Sequence, residues 1–218
     1  MIIAVLGGTG EQGSGLALRW ARAGHQVILG SRMAEKAERV AQELCERLGG
    51  QVHVTGADNP SAAAVADVVV LSVPYSSQLS ILNSVRDQLV GKLLISVVVP
   101  LRPPKVSHAW RPEAGSAAME AQSFLGADIP VVVAFQNISS AHVADPAHEV
   151  ESDVLICGDK SEHKAVAGRL AADAGMRAVD AGPLANASVV EGLTAVLIGI
   201  NIRHRVAGAG IRITGLSG

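Results

Sequence analysis

Short apolar runs alternate along this chain with amphipathic stretches in a regular order. Ile2-Ile3-Ala4-Val5-Leu6 is an unbroken apolar run of strand length. Leu16, Trp20 and Ala23, with Ala17 and Ala21 beside them, then recur at helical spacing. Gly24 closes that helix, and Gln26-Val27-Ile28-Leu29-Gly30 reads as the next strand. Apolar positions 37, 40, 41, 44 and 48 predict a helix over 34–48, ended by Gly49-Gly50. Residues 51–55 alternate as a short strand with His53 on the exposed phase, and 59–66 reads as a short helix. Asp67-Val68-Val69-Val70-Leu71-Ser72-Val73 has no polar face, the pattern of a strand buried on both sides of a parallel sheet.

Pro74 stops that strand, and 78–89 predicts a helix whose apolar positions are Leu79, Leu82, Val85 and Leu89. A further buried strand, 92–99, ends at Pro100. Residues 100–113 form the longest irregular stretch, with Arg102, Lys105, His108, Trp110 and Arg111 among its prolines. A helix over 116–124 follows, then a strand over 131–135 running into Gln136-Asn137-Ile138-Ser139-Ser140. The rhythm changes at Asp145-Pro146, beyond which a strand (153–157), a helix (160–174), a strand (176–181) and a long helix (184–205) are predicted.

This order predicts an α/β fold: a Rossmann-type doubly wound parallel sheet with a small C-terminal α/β domain. The expected division is a dinucleotide-binding domain over 1–145 and a small domain over 146–218 that closes the substrate cleft. The last helix carries Val189, Val190, Leu193, Val196, Leu197, Ile200 and Ile202, more apolar surface than one small unit needs. A subunit interface, and hence a homodimer, is the expectation.

Between the first strand and first helix stands Gly8-Thr9-Gly10-Glu11-Gln12-Gly13, a G-x-G-x-x-G pattern in its proper strand–turn–helix context. Gly8 is expected to permit the turn, Gly10 to admit a pyrophosphate, and Gly13 to let helix and strand pack closely. Free N–H groups at the helix start then face the diphosphate. An Asp or Glu about 20 residues on would mark an NAD site. The chain has Ser31-Arg32 there, followed by Lys36. An Arg fork and a hydroxyl accept a 2′-phosphate through charge-assisted hydrogen bonds worth roughly 1.5–3 kcal/mol each. The dinucleotide expected is therefore NADP(H). Ligands of such sheets lie beyond the carboxyl ends of the strands, which adds Val73-Pro74-Tyr75 and Val99-Pro100-Leu101 to the same rim.

Composition narrows the picture. A formal net charge of −2 over 218 residues offers no electrostatic case for nucleic acid or an acidic membrane. Met1 leads straight into a strand, without the pattern of a signal peptide. Gly199, Asn201 and Arg203 interrupt the most hydrophobic segment, so no membrane span is expected. Cys45 and Cys157 are too few and too distant for a scaffold or metal site. A cytoplasmic protein acting on small molecules, with no metal, follows. No catalytic dyad stands out, and His108 has no partner in sequence.

Several of these stretches together resemble a known family. They are Leu6-Gly7-Gly8-Thr9-Gly10, Gly30-Ser31-Arg32 with Lys36, Leu71-Ser72-Val73-Pro74, Val99-Pro100-Leu101, Cys157-Gly158-Asp159 and Asp180-Ala181-Gly182-Pro183-Leu184. The family is the NADPH-dependent reductases of coenzyme F420, also called F420:NADP oxidoreductases, and the resemblance spans nearly the whole chain. It implies hydride transfer between C4 of the nicotinamide and C5 of an 8-hydroxy-5-deazaflavin. It also implies that Thr9, Gly10, Glu11, Gln12, Ser31, Arg32 and Lys36 contact NADP, and that the deazaflavin lies between the domains, bordered by Gln136, Asn137 and Ile138. Direct hydride transfer requires no side-chain acid or base, so no catalytic residue is implied. The chain departs from the family in having Gln136-Asn137-Ile138-Ser139 in place of His-Thr-Ile-Pro. Two other readings stay open: an NADPH-dependent reductase of a flavin, imine or ketone, and a non-catalytic NADP-sensing module.

Overall fold

The computed structural model describes residues 1–50 and 52–216. Six parallel strands form the main sheet in the order β3-β2-β1-β4-β5-β6. They are β1 (Ile2–Leu6), β2 (Gln26–Ser31), β3 (Val54–Asp58), β4 (Val68–Leu71), β5 (Leu93–Ser96) and β6 (Val131–Val133). The helices between them are α1 (Glu11–Arg22), α2 (Ala34–Arg47), α3 (Asn59–Val65), α4 (Gln78–Leu89) and α5 (Ala117–Leu125). This is the doubly wound α/β architecture that the alternating pattern predicts.

The unbroken apolar runs have a simple cause: the sheet is covered on both faces. Along β1, Ile3 and Val5 join Leu16 and Trp20 of α1 and Ala37, Ala41 and Leu44 of α2. Ala4 and Leu6 join Ala62 and Ala63 of α3 and Leu82 and Val85 of α4 on the other side.

Beyond β6 come α6 (Ser140–Ala144), β7 (Val154–Ile156), α7 (Ser161–Asp173), β8 (Ala178–Asp180) and α8 (Ala187–His204). β7 and β8 pair in parallel as a second sheet, tied to the edge of the first by an antiparallel bridge between Val133 and Cys157. Val154 and Ile156 continue one core layer and Leu155 and Cys157 the other, so the apolar interior runs unbroken across residue 145.

Arg19 of α1 stitches this junction. Its guanidinium donates to the main-chain carbonyls of Val143, Ala174, His142, Asp145 and His148 at 2.7–3.2 Å. Nearby, Trp20 Nε1 donates to the Leu170 carbonyl of α7 at 2.8 Å.

Several local expectations are corrected. β3 runs over 54–58 rather than 51–55; Gln51 lies outside the described residues, and His53 is exposed but precedes the strand. Gly56 and Asp58 read as turn residues, yet a Cβ at Gly56 would overlap the α2 backbone at Ala37 and Glu38. Glycine there lets α2 lie directly on the strand. The buried face of α4 is Gln78, Ile81, Leu82, Val85 and Leu89, so Leu79, expected among the apolar positions, lies on the exposed side. Ala23 is exposed at the end of α1, and the short helix α6 had no local signal.

The segment Leu184–His204 is long and apolar enough to cross a membrane by length and composition alone, against the expectation that its polar residues disqualify it. In this fold α8 lies against α5 through a polar joint. The Glu191 carboxylate, 1 % exposed, accepts the Ala117 and Ala118 N–H groups at the start of α5, at 2.7 and 3.0 Å. These bonds and the helix dipole favour the charged form, but burial outweighs them and lifts the Glu191 pKa to about 7.

A pH dependence follows. Between the ordinary value of 4.5 and about 7 the folded chain holds a proton that the unfolded chain releases. The fold therefore loses stability as pH rises through this window, by about 3 kcal/mol at most. Urea denaturation should show wild-type stability falling relative to Glu191→Gln as pH is raised from 4.5 to 7. Parallel pH profiles would refute the assignment.

Candidate functional site

The loop after β1 makes its turn at Gly7, whose φ of +75° places it in the left-handed region, and not at Gly8 as the motif suggests. Gly7 N–H donates to the Gly30 carbonyl at 3.0 Å, which pins the loop to the end of β2. Gly8 serves packing instead: a Cβ there would stand 2.7 Å from the Val5 carbonyl oxygen. Gly13 likewise lets the start of α1 approach the loop, since its Cβ would come within 2.9 Å of Gly8 Cα. Gly10 differs from both, because its Cβ would meet only the Gly7 carbonyl, at 3.6 Å. It is the exposed N-cap of α1, and no side chain caps that helix end. Its first-turn N–H groups are left for a ligand.

Two cavities open on this loop. One, of about 340 Å³, is lined by Thr9, Gly10, Ser31, Arg32, Lys36 and Asn59 among others. Arg32 and Lys36 are exposed and form no ion pair among the described residues. Asn59 is buried, and its Oδ1 has no hydrogen-bond partner. The second cavity, of about 470 Å³, is lined by Glu11, Gln12, Val99, Gln136, Asn137 and Ile138 together with residues of α8. Gly10, Ser72, Val73 and Pro74 line both, so the two cavities adjoin along one wall. Of the residues assigned to cofactor binding from sequence, Gly8 and Gly13 line neither and shape the loop from behind; Tyr75 and Pro100, expected on the same rim, line neither as well.

The far wall of the larger cavity begins at Phe135. This buried residue has a φ of +72°, a conformation that costs a non-glycine residue on the order of 1–3 kcal/mol. Its surroundings hold it there. The ring packs edge-on against Trp20 with centroids 5.7 Å apart, and the carbonyl accepts from Gln12 Nε2 at 3.3 Å. The reversal turns Gln136 and Asn137 inward. Gln136 Nε2 donates to the Ser96 carbonyl and Asn137 Nδ2 to the Asp153 carbonyl, each at 2.7 Å. That leaves Gln136 Oε1 and Asn137 Oδ1 buried without hydrogen-bond partners. Thr194 of α8 donates its hydroxyl to the Gln136 carbonyl at 2.8 Å.

Sequence reasoning missed Phe135, Asn59 and Thr194, and also Asn201, Ala207 and Ala209, which line the same cavity. Apolar–polar patterning holds no signal for them; Phe135, Thr194 and Ala207 meet partners far along the chain. The basic loop is only partly enlisted. Leu101 reaches the cavity, whereas Arg102 stacks on Trp110 at 3.6 Å and Trp110 meets Tyr75 edge-on. His108 is exposed and lines neither cavity. Among the described residues Glu11 is the one ionisable side chain in the larger cavity, and no cluster suited to a metal ion occurs.

A basic phosphate-sized cavity joined to a larger, mainly apolar one on a Rossmann sheet defines a class: the dinucleotide-dependent oxidoreductases. Residues 2–100 match the family described as NADP oxidoreductase, coenzyme F420-dependent. The chain is 45% identical to the F420-dependent NADP reductase of Methanothermobacter thermautotrophicus, over 99% of this chain and 96% of that one. It is 41% identical to the F420-dependent NADP reductase of Methanocaldococcus jannaschii, over 99% of each. A solved structure from Arthrobacter sp. FB24, described as an F420 dependent NADP-reductase, superposes with a TM-score of 0.79 at 26% identity, covering 97% of this chain and 98% of that one. The protein belongs to the F420-dependent NADP reductase family.

The environment of Gly10 separates binding from folding. Gly10→Val should leave the thermal midpoint near that of the wild type and weaken dinucleotide binding by on the order of a hundredfold, through lost pyrophosphate hydrogen bonds. Gly13→Val should lower the midpoint as well. Calorimetric titration alongside thermal melts checks both, and normal binding by Gly10→Val would show the turn to be an ordinary one.

Proposed function

We propose that this protein is an NADPH:F420 oxidoreductase, moving a hydride between NADP(H) and the deazaflavin coenzyme F420. The observation that carries this reading is the shared wall at Gly10, Ser72, Val73 and Pro74, where a site with the chemistry for NADP passes into a larger apolar one. The full-length similarity to F420-dependent NADP reductases supports the identity of the second substrate.

Each group of residues then has a role. Ser31, Arg32 and Lys36 take the 2′-phosphate, while the N–H groups from Gly10 to Gly13 and the side chains of Thr9 and Gln12 take the pyrophosphate and ribose. Bound there, the dinucleotide supplies its hydride to C5 of the deazaflavin or receives one from it. Val73, Pro74, Val99 and Ile138 offer apolar walls that hold the rings and exclude water. The Gln136 and Asn137 amides, tied to the Ser96 and Asp153 carbonyls, fix the wall on which the rings rest.

In the same proposal, residues 1–145 form the NADP-binding domain and 146–218 close the acceptor side. Val189 and Val196 of α8 are exposed, with Leu193 and Ile200 half-buried along the same stripe. That stripe is the surface a second copy would cover in a homodimer. The free thiols of Cys45 and Cys157 suit the reducing cytoplasm.

The direct test is to mix the purified protein with NADPH and F420 and follow deazaflavin absorbance. Bleaching at a rate proportional to enzyme is expected. Tight NADPH binding without bleaching would sink the proposal, and a screen of flavins, imines and ketones for NADPH oxidation would then separate another reductase from a sensing module. For the dinucleotide itself, Arg32→Glu should raise the KM for NADPH by about tenfold to a hundredfold and that for NADH far less. Equal effects on the two would remove Arg32 from the 2′-phosphate site.

A further inference from the structure

α8 ends at Arg205, a left-handed C-cap with φ of 55°, and residues 206–213 then cross the molecule as an extended strap. Ala207 and Ala209 on this strap line the 470 Å³ cavity. Gly208, Gly210, Ile211 and Arg212 line a separate cavity of about 510 Å³. The strap is therefore one backbone thick with open space on both sides. It rests on the His142 ring at Gly208 and on Ser152 at Gly210, where no Cβ would fit. Ile213 packs against the core at the far end of the strap, and polar ties fix the stretch between there and α8.

Those ties converge on one residue. Asp153, 1 % exposed, donates its N–H to the Ile211 carbonyl at 2.7 Å and accepts the Ile213 N–H on Oδ2 at 2.6 Å. Arg177 grips the same carboxylate in a fork, with Nε on Oδ1 and Nη2 on Oδ2, both at 2.7 Å. Arg177 Nη2 also donates to the Ile213 carbonyl at 2.8 Å. On its other side, the Asp153 carbonyl accepts Asn137 Nδ2. Nearer α8, the strap has two further ties: Ser139 Oγ to the Ala207 carbonyl, and the Ala209 N–H to Asn201 Oδ1.

We propose that Asp153, held by Arg177, is a positioning residue for the acceptor: it fixes the Asn137 amide on one wall of the cavity and the C-terminal strap on another. The inference rests on the reading of this cavity as the acceptor site. Asp153 touches no substrate. Its backbone carbonyl holds the Asn137 amide in the cavity wall, and its carboxylate anchors the far end of the strap that carries Ala207 and Ala209. Bidentate Arg–carboxylate geometry suits this work, because it fixes orientation as well as distance. The fork also explains why Arg177 holds the Asp153 carboxyl below the usual carboxylate range. Among the described residues the latch makes no hydrogen bond to a residue of the smaller, basic cavity, so the two binding events should respond differently to its loss.

The test uses the full chain with Asp153→Asn, Arg177→Gln and Arg177→Lys. Releasing the latch should raise the KM for F420 by about tenfold while kcat and the NADPH Kd stay within about twofold, and Arg177→Lys should recover part of the loss. Amide hydrogen exchange supplies a readout independent of turnover: the Ile213 N–H should exchange faster in Arg177→Gln, with β1 amides unchanged. Ala209→Leu, which leaves the latch intact, should exclude the acceptor and spare NADPH binding. A folded Arg177→Gln with wild-type KM for F420, or with wild-type exchange at Ile213, would overturn the proposal; so would parallel losses of NADPH and F420 binding. Failure of the wild type to bleach F420 would count against the functional reading instead, and the Ile213 exchange would still decide the latch.

Discussion

Arg19 carries the interaction on which the rest of the molecule depends. A buried guanidinium ordinarily faces a carboxylate, but here five carbonyl oxygens surround it. Burial pulls its pKa down, and the nearby charge of Asp145 opposes that without a direct salt bridge. Hydrogen bonds to a charged group contribute about 1.5–3 kcal/mol each. The consequence is geometric. The C-terminal half of α1 is fastened to the 142–148 segment and to the end of α7, while its N-terminal turn stands at the mouth of both cavities. One helix thus fixes the dinucleotide loop and the second sheet in a single frame. Gly15 completes the join, for a Cβ there would press on the backbone of Val143 and Ala144 at 3.0 Å.

That frame makes the strain at Phe135 sustainable. A left-handed phenylalanine persists only where its surroundings over-determine it. Trp20, one residue after Arg19, supplies the edge-on contact, and Gln12, in the first turn of the same helix, holds the carbonyl. The strained residue is where the end of β6 turns its next two side chains into the cavity. The dinucleotide helix and the acceptor wall are therefore mechanically continuous, and both descend from contacts made by α1.

How much of this was legible in the sequence depends on the range of the determining contacts. β1, α1, β2 and the place of the glycine loop between them were legible because periodicity and glycine spacing act within some thirty residues of chain. β3 slipped because Gly56 mimics a turn residue, and only the α2 backbone lying on it shows why a glycine is needed. Gly7 and Gly8 exchanged roles for a similar reason, since the turn requires the positive φ one position before the motif begins. At the acceptor wall, resemblance pointed to Gln136 and Asn137, but nothing local reveals their partners. Ser96 lies 40 residues away and Thr194 58, and the strap reaches Asp153 across 60. Contacts of that separation leave no periodic mark.

The same division of range explains how the two halves of the site can differ in chemistry while sharing a scaffold. The dinucleotide half is specified by backbone shape, which glycines enforce and few substitutions can imitate. The acceptor half is specified by side chains satisfying distant carbonyls, so a replacement need only keep the donor. Gln136 does so, giving its N–H to Ser96 without adding a charge to the cavity wall. A histidine in that place would titrate near neutrality. With the amide there, and with Glu11 as the one ionisable side chain in the cavity lining among the described residues, the acceptor half presents fixed dipoles where the dinucleotide half presents charge. Hydride transfer is served by that contrast. In the proposed reaction the charges would anchor the dinucleotide at a distance from the reacting carbons, and the largely uncharged cavity would leave distance, orientation and the exclusion of water to set the rate.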